Sequence, residues 1–330
     1  MATTTTESIT TADRHRRGGA APGLQAGRRK GLQAGRRKGL RDGRRKPRVD
    51  PLFLAFLLPT LVLFTLAITL PAVMGIVLSF TNSVGFGEFR FTGLTNYIAV
   101  FSDPAILQAY LFTLGFSLVT VIVVNAIAFL LAIALTSKIR GKIALRAVFV
   151  LPMVISGIVI AYVFSFLFAN SLPAFATAIG FGPLEQSILA DPDLAWLAIV
   201  VVTAWQAIPS TLLIYIAGVL SIPGEVYEAA ALDGASAWRQ LVSITAPLTA
   251  GYILINLVIG FKNFLNSYDI IVGLTDGGPG TSTTSVAMSI FKGFNGGDYA
   301  YQMANATIFF VIAVVIAVIQ LRATRGKAAL

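Results

Sequence analysis

The sequence contains no cysteine and a single histidine, His15. A disulfide framework, a thiolate metal site and a His-rich metal site are therefore closed to it, and no metal ligands are assigned. A Ser-His-Asp, Cys-His or HExxH arrangement cannot be assembled either, so no catalytic residue is assigned. No GxxxxGK[ST] loop occurs: Gly141-Lys142 is followed by Ile143 and is not preceded by a glycine-rich turn. The chain by itself cannot hydrolyse ATP. Charge is the other scarcity. Only 12% of the 330 residues are charged while 56% are hydrophobic, against about a quarter charged in soluble domains. Such a chain belongs in a membrane.

The charge that is present is unevenly placed. The formal net charge is +10, yet fourteen of the 25 Lys and Arg precede Pro51. Three tandem octads fill that segment: GLQAGRRK at Gly23 to Lys30 and again at Gly31 to Lys38, then GLRDGRRK at Gly39 to Lys46. A Gly- and Arg-rich block with so few large apolar residues cannot bury enough surface to fold, so residues 1–50 are expected to form a disordered basic tail. Two readings stay open for it: contact with anionic membrane lipids, worth ~1 kcal/mol per base near the surface, or a solvated tail that fixes topology. Nucleic acid is not an expected partner, because no aromatic is interleaved among the arginines to stack on bases.

A helix needs ~20 apolar residues to cross a ~30 Å hydrocarbon core, and six runs qualify. They are roughly Leu52 to Phe80, Ile106 to Leu135, Ala147 to Phe168, Leu194 to Leu220, Leu248 to Leu274 and Met303 to Leu321. The first is too long for a signal-peptide core and is not expected to be cleaved. Lys and Arg on alternate sides then set the orientation. One side holds the fourteen of the tail, Lys138, Arg140, Lys142 and Arg146, Arg239, and the end with Arg322, Arg325 and Lys327; the other holds Arg90 and Lys292. Both termini are therefore expected in the cytoplasm, including the end at 324–330.

Between the fourth and fifth runs lies Ser221 to Pro247, SIPGEVYEAAALDGASAWRQLVSITAP, which is too polar to cross a bilayer and falls on the cytoplasmic side. Pro223 and Glu225 start a helix that Glu228 to Leu232 continues. Asp233-Gly234 ends it, since glycine takes the left-handed conformation readily. Ser236 caps a second helix with Trp238, Leu241 and Thr245 on one face, and Pro247 is expected to stop it. Two short helices hinged at Gly234 result.

The string Glu228-Ala229-Ala230, Asp233-Gly234-Ala235, Ile244 and Pro247 resembles the EAA cytoplasmic loop of ATP-binding-cassette (ABC) importer permeases, and IPGEVYEAAALDGASAW is similar to the carbohydrate, maltose-permease-like branch. One departure is Leu241, where the second helix usually carries an aromatic. FTGLTNYIAVF at Phe91 to Phe101, Thr113-Leu114 with Phe116, RGKIALRAVFVLP at Arg140 to Pro152 and LTDGGPGTST at Leu274 to Thr283 resemble the same family in order, so the likeness covers nearly all of Leu52 to Arg322. It implies an all-α membrane protein with six transmembrane helices over 51–323 in the ABC importer permease (MetI-like) fold. Residues 221–247 then form a coupling-helix hairpin, and Glu225, Glu228, Ala229, Ala230, Asp233, Gly234, Ala235 and Pro247 face the groove of a separate ATPase. It also implies the bacterial cytoplasmic membrane as location. The expected partners are a second homologous permease, two ATP-binding subunits that hold the ATP-Mg, and an extracytoplasmic solute-binding protein. No cofactor is expected on this chain.

An unpaired polar group in hydrocarbon costs several kcal/mol, so polar positions on a span mark protein, water or ligand. The fifth run is the outlier, with Lys262, Asn263, Asn266, Ser267, Tyr268 and Asp269 set among Phe261, Phe264 and Leu265. Asn263 and Ser267 are spaced to share a helix face beside Phe264 and Tyr268. Amides and hydroxyls bond sugar hydroxyls while rings cover a pyranose face, and the resemblance implies that this stretch contacts the sugar. Lys262 either lines a cavity or pairs with a carbonyl or a partner's carboxylate. Trp205 and Gln206, near Pro209, either line a cavity or pack at a kink. Asn125 and Asn305 read as interhelical hydrogen bonds. Two rival readings remain: an ABC permease for glycerol phosphate or a polyol, and a secondary transporter driven by an ion gradient, which would want an intramembrane carboxylate chain that is not seen.

Overall fold

The computed structural model describes residues 51–137 and 141–325. The octad tail, Lys138 and Arg140, and the chain past Arg325 lie outside the described residues. Among the described residues the regular elements are helical, apart from one bridge between Thr81 and Phe91. The chain divides into two units, one ending at Leu66 and one starting at Ala67. The first holds α1, Pro51–Phe64, whose side chains from Ala55 onward are exposed.

The second unit runs through α2 (Leu70–Leu78), α3 (Thr95–Ser102), α4 (Pro104–Thr136), α5 (Lys142–Val150), α6 (Gly157–Ile179), α7 (Ala195–Leu220), α8 (Gly224–Leu232), α9 (Ala237–Leu248), α10 (Ala250–Leu265), α11 (Asp269–Thr275), α12 (Val286–Asn295) and α13 (Tyr299–Arg325). Five stretches are long and apolar enough to cross a membrane: Ala55–Leu78, α4, α6, α7 and Tyr299–Arg322. A sixth passes only as the pair α9 and α10, bent by 67°.

Two spans depart from the uncharged runs in the sequence. The third begins at Gly157, ten residues later than the run starting at Ala147, because Pro152 sits in a 3-10 turn, Leu151–Val154, and Ile155 is extended at φ −85°, ψ 137°. Residues 142–150 form a separate short helix instead, and its Arg146 Nη2 donates to the carbonyl of Leu135 at 2.9 Å, covering one of the four carbonyls α4 leaves open. The fifth run is not one helix either. It bends at Thr249 and breaks again at residues 266–268.

Three wide π turns share one cause. Thr65–Thr69 precedes Pro71, Leu167–Ser171 precedes Pro173, and Leu241–Thr245 precedes Pro247, each ending two residues before the proline. A proline ring clashes with the carbonyl four residues back and offers no N–H, and the wider turn moves that carbonyl aside. Hence Pro247 does not stop its helix; α9 continues to Leu248, and Thr249 Oγ1 donates to the Thr245 carbonyl at 2.7 Å where the chain then turns.

α4 and α7 lie side by side and carry the core. Val121, Val124, Ile199, Val202, Ile271 and Met288 form one buried cluster, and Ala128, Ala132, Leu212 and Tyr215 form a second where alanines let the backbones approach. Tyr215 donates to the Asn125 side chain across these helices, and Tyr110 donates to Asn305 Oδ1 at 3.0 Å between α4 and α13. Such a bond within a membrane contributes about 0.6 kcal/mol on average. Their value here is to fix which faces meet.

Candidate functional site

The polar residues of the fifth run gather where α10 stops. The helix ends at Leu265, so Asn266, Ser267 and Tyr268 form an interruption rather than the next helical turn, yet Asn263 and Ser267 still line one cleft. Asn266 Nδ2 caps the opened end by donating to the Lys262 carbonyl at 2.8 Å. A cleft of about 300 Å³ opens beside the interruption, between α10 and α7. Asn263, Phe264 and Ser267 line one wall; Thr203, Gln206 and Ser210 line the other; Met153 reaches in from the 3-10 turn.

Trp205 and Gln206, about 100° apart around α7, face different grooves. Gln206 faces the cleft, and its Nε2 donates to the carbonyl of extended Ile155 at 3.3 Å. Trp205 packs on Phe164, ring centres 5.4 Å apart, beside Pro152 and Pro209 in a separate groove. Tyr268 is also outside the cleft: its ring meets Phe291 of α12 at 5.2 Å, edge to face. Lys262 is exposed, does not line the cleft, and its side chain has no hydrogen bond or ion pair among the described residues. Thr203 and Ser210 were missed in the sequence, although with Gln206 and Ala207 they repeat at intervals of three and four, a stripe that can be counted.

Thr203 stands out chemically. Thr113 and Ser117 on α4 each donate to the carbonyl four residues back. Thr203 Oγ1 is buried in the cleft wall and, like Thr120 Oγ1 on α4, has no partner among the described residues. A buried hydroxyl left unpaired costs about 1–3 kcal/mol.

The hairpin between α7 and α10 is closed by its own hydrogen bonds. Gly234, at φ +74°, follows α8; its N–H reaches the Ala231 carbonyl at 3.1 Å and the N–H of Ala235 reaches Ala230 at 2.9 Å. This is a Schellman ending, which requires the left-handed residue. Ser236 Oγ accepts from the N–H of Arg239 at 3.4 Å, starting α9, and Tyr227 bonds Thr245 at 3.0 Å, holding α8 against the π turn. Glu225, Glu228, Ala229, Asp233 and Gly234 are exposed, Ala230 and Ala235 half-buried, and Pro247 exposed. On either side of the bend Leu232 is 91% exposed and Trp238 72%.

The LTDGGPGTST segment is a tight turn. Asp276 is left-handed at φ 47°, Thr283 Oγ1 donates to the Gly278 carbonyl at 2.6 Å, and Lys292 bridges back to Asp276 at 2.9 Å.

Helices of such length and apolarity mark a multi-pass membrane protein. The chain belongs to the family described as binding-protein-dependent transport system inner membrane component, which matches residues 124–324. The multiple sugar-binding transport system permease protein MsmF of Streptococcus mutans serotype c (strain ATCC 700610 / UA159) is 33% identical over 272 residues, covering 82% of this chain and 94% of the relative. The probable starch degradation products transport system permease protein AmyD of Thermoanaerobacterium thermosulfurigenes is 31% identical over 273 residues, covering 82% and 93%. Among solved structures, the fold matches a chain of a bacterial alginate ABC transporter in complex with alginate pentasaccharide-bound periplasmic protein, with a TM-score of 0.74 and 23% identity, over 84% of this chain and 94% of that one.

Proposed function

We propose that this chain is the translocation subunit of an ABC importer for a neutral sugar. The run Leu248 to Leu274, holding α10 and α11, counts as one span, giving six, with both termini and the α8–α9 hairpin in the cytoplasm. The α8–α9 hairpin seats in a separate ATPase subunit, and a second, homologous permease completes the pathway. An external solute-binding protein delivers the sugar, and ATP-Mg is held by the ATPase pair. The observation that carries this reading is the hairpin tip. Exposed Leu232 and Trp238 flank a left-handed glycine on a loop joined directly to the helix that walls the cleft, and large apolar side chains so exposed outside a membrane span call for a protein partner. A push on the tip would pass through the Tyr227–Thr245 bond and the bend at Thr249 into α10.

The substrate class follows from the lining. Thr203, Gln206, Ser210, Asn263 and Ser267 offer hydroxyls and amides but no charge, with Phe264 as the aromatic wall. That suits a polyhydroxyl compound better than a phosphate ester, which is bound through charge-assisted donors. In proteoliposomes holding the complete importer, Gly234→Asp and Glu228→Lys should abolish ATP-driven uptake with the chain still inserted. Normal uptake by both variants would overturn the coupling. Excess glycerol phosphate should leave sugar uptake unchanged, and competition would overturn the neutral-sugar assignment.

A further inference from the structure

The interruption at residues 266–268 is held from outside the span. Ser285 is 1% exposed, and its hydroxyl both accepts from the N–H of Met288 at 3.2 Å, capping α12, and donates to the carbonyl of Ser267 at 3.3 Å. That carbonyl belongs to a backbone freed by the end of α10, so in a membrane it needs a donor. One residue on, the Tyr268 ring meets Phe291, one and a half turns along α12. α12 is itself anchored: the N–H of Val286 donates to Thr113 Oγ1 on α4 at 2.9 Å, a buried bond, and Lys292 pairs with Asp276 across the turn. Ser267 meanwhile lines the cleft.

We infer that Ser285 and Phe291 are positioning residues for the cleft, a two-point latch through which α12 sets the place of the Asn266–Tyr268 interruption and so the access to Asn263 and Ser267. Neither touches the cleft. The latch gives Tyr268 a role other than sugar contact, and it makes the LTDGGPGTST turn with α12 the element through which a load on the side bearing Arg90 and Lys292 reaches the wall of α10. The inference bears on transport only through the proposed reading of the cleft, but its test reads side-chain access and stands apart from that reading.

Because the chain has no cysteine, single reporters can be placed without background. Asn263→Cys reports the cleft; Thr136→Cys, in the groove beneath the hairpin, reports general loosening. In isolated membranes carrying the full chain, N-ethylmaleimide should label Asn263→Cys severalfold faster when combined with Ser285→Ala or Phe291→Ala. Ser285→Thr, which keeps the hydroxyl, should restore the slow rate, and Thr136→Cys should not respond. Phe291→Ala removes one contact of a half-exposed ring, so it remains informative where Ser285→Ala fails to insert. An unchanged rate at Asn263→Cys in both variants, or an equal rise at Thr136→Cys, would overturn the latch.

Discussion

Thr203 is the cleft-lining residue with a buried polar atom left unpaired among the described residues. Its hydroxyl is buried in the cleft wall without a partner, and that of Thr120 on α4 is likewise unpaired, whereas Thr113 and Ser117 bond their own helix. Replacing it by valine keeps shape and removes the orphan group, so Thr203→Val should hold or raise the thermal unfolding midpoint, by up to the equivalent of about 1–3 kcal/mol. If the hydroxyl serves the solute, the same variant should raise the KM of uptake while the ATPase rate of the complex without solute is unchanged. A lowered midpoint would mean the hydroxyl has a structural partner. Gly234 is the opposite case: its conformation is legible in the sequence, because a glycine after Leu232-Asp233 with a capping serine two residues on has few other uses. The stripe of Thr203, Gln206 and Ser210 can be counted in the sequence, but not that the Thr203 hydroxyl is left unpaired.

At the scale of elements, apolar runs mark where helices lie and prolines decide where they change course. The runs over α4 and α7 match their helices within a few residues, since neither is interrupted by a competing signal apart from Pro209. The third run was misplaced because residues 147–168 are uniformly apolar across a 3-10 turn, and hydropathy is blind to backbone conformation. Pro247 was expected to end a helix and instead follows a π turn that absorbs it. Pro247→Ala removes the clash that keeps Leu241–Thr245 wide, and a regular helix there would rotate the hairpin against α10 by about 100° per residue taken up. The unfolding midpoint should hold or rise, since interior proline costs a helix about 3 kcal/mol, while ATP-driven uptake should fall. Unimpaired uptake would show that the π turn has no part in coupling.

For the whole molecule, the class was legible from composition alone, and the hairpin from a string of about twenty residues. The cleft was half legible: the polar stretch at Gly260 to Asp269 stands out in any reading, but which of its side chains face inward depends on the break after Leu265. The orientation can be checked directly, again with single cysteines. Thr281→Cys should react with a membrane-impermeant maleimide added outside intact cells, and Ser236→Cys should react only after the membrane is opened; the reverse pattern would invert the assignment of both termini. The bend at Thr249 sets one further quantity. At about 1.5 Å per residue the twelve residues of α9 span about 18 Å and the sixteen of α10 about 24 Å. Swung about Thr249 as one stiff crank, the pair has arms in a ratio near three to four, so a stroke of about 3 Å at Ala237 reappears as about 4 Å at Leu265. That is about the thickness of a pyranose ring in van der Waals contact on one side, judged from carbon contacts of ~3.5–4.0 Å, so a small stroke inside the cell is enough to decide whether a sugar fits beside Asn263.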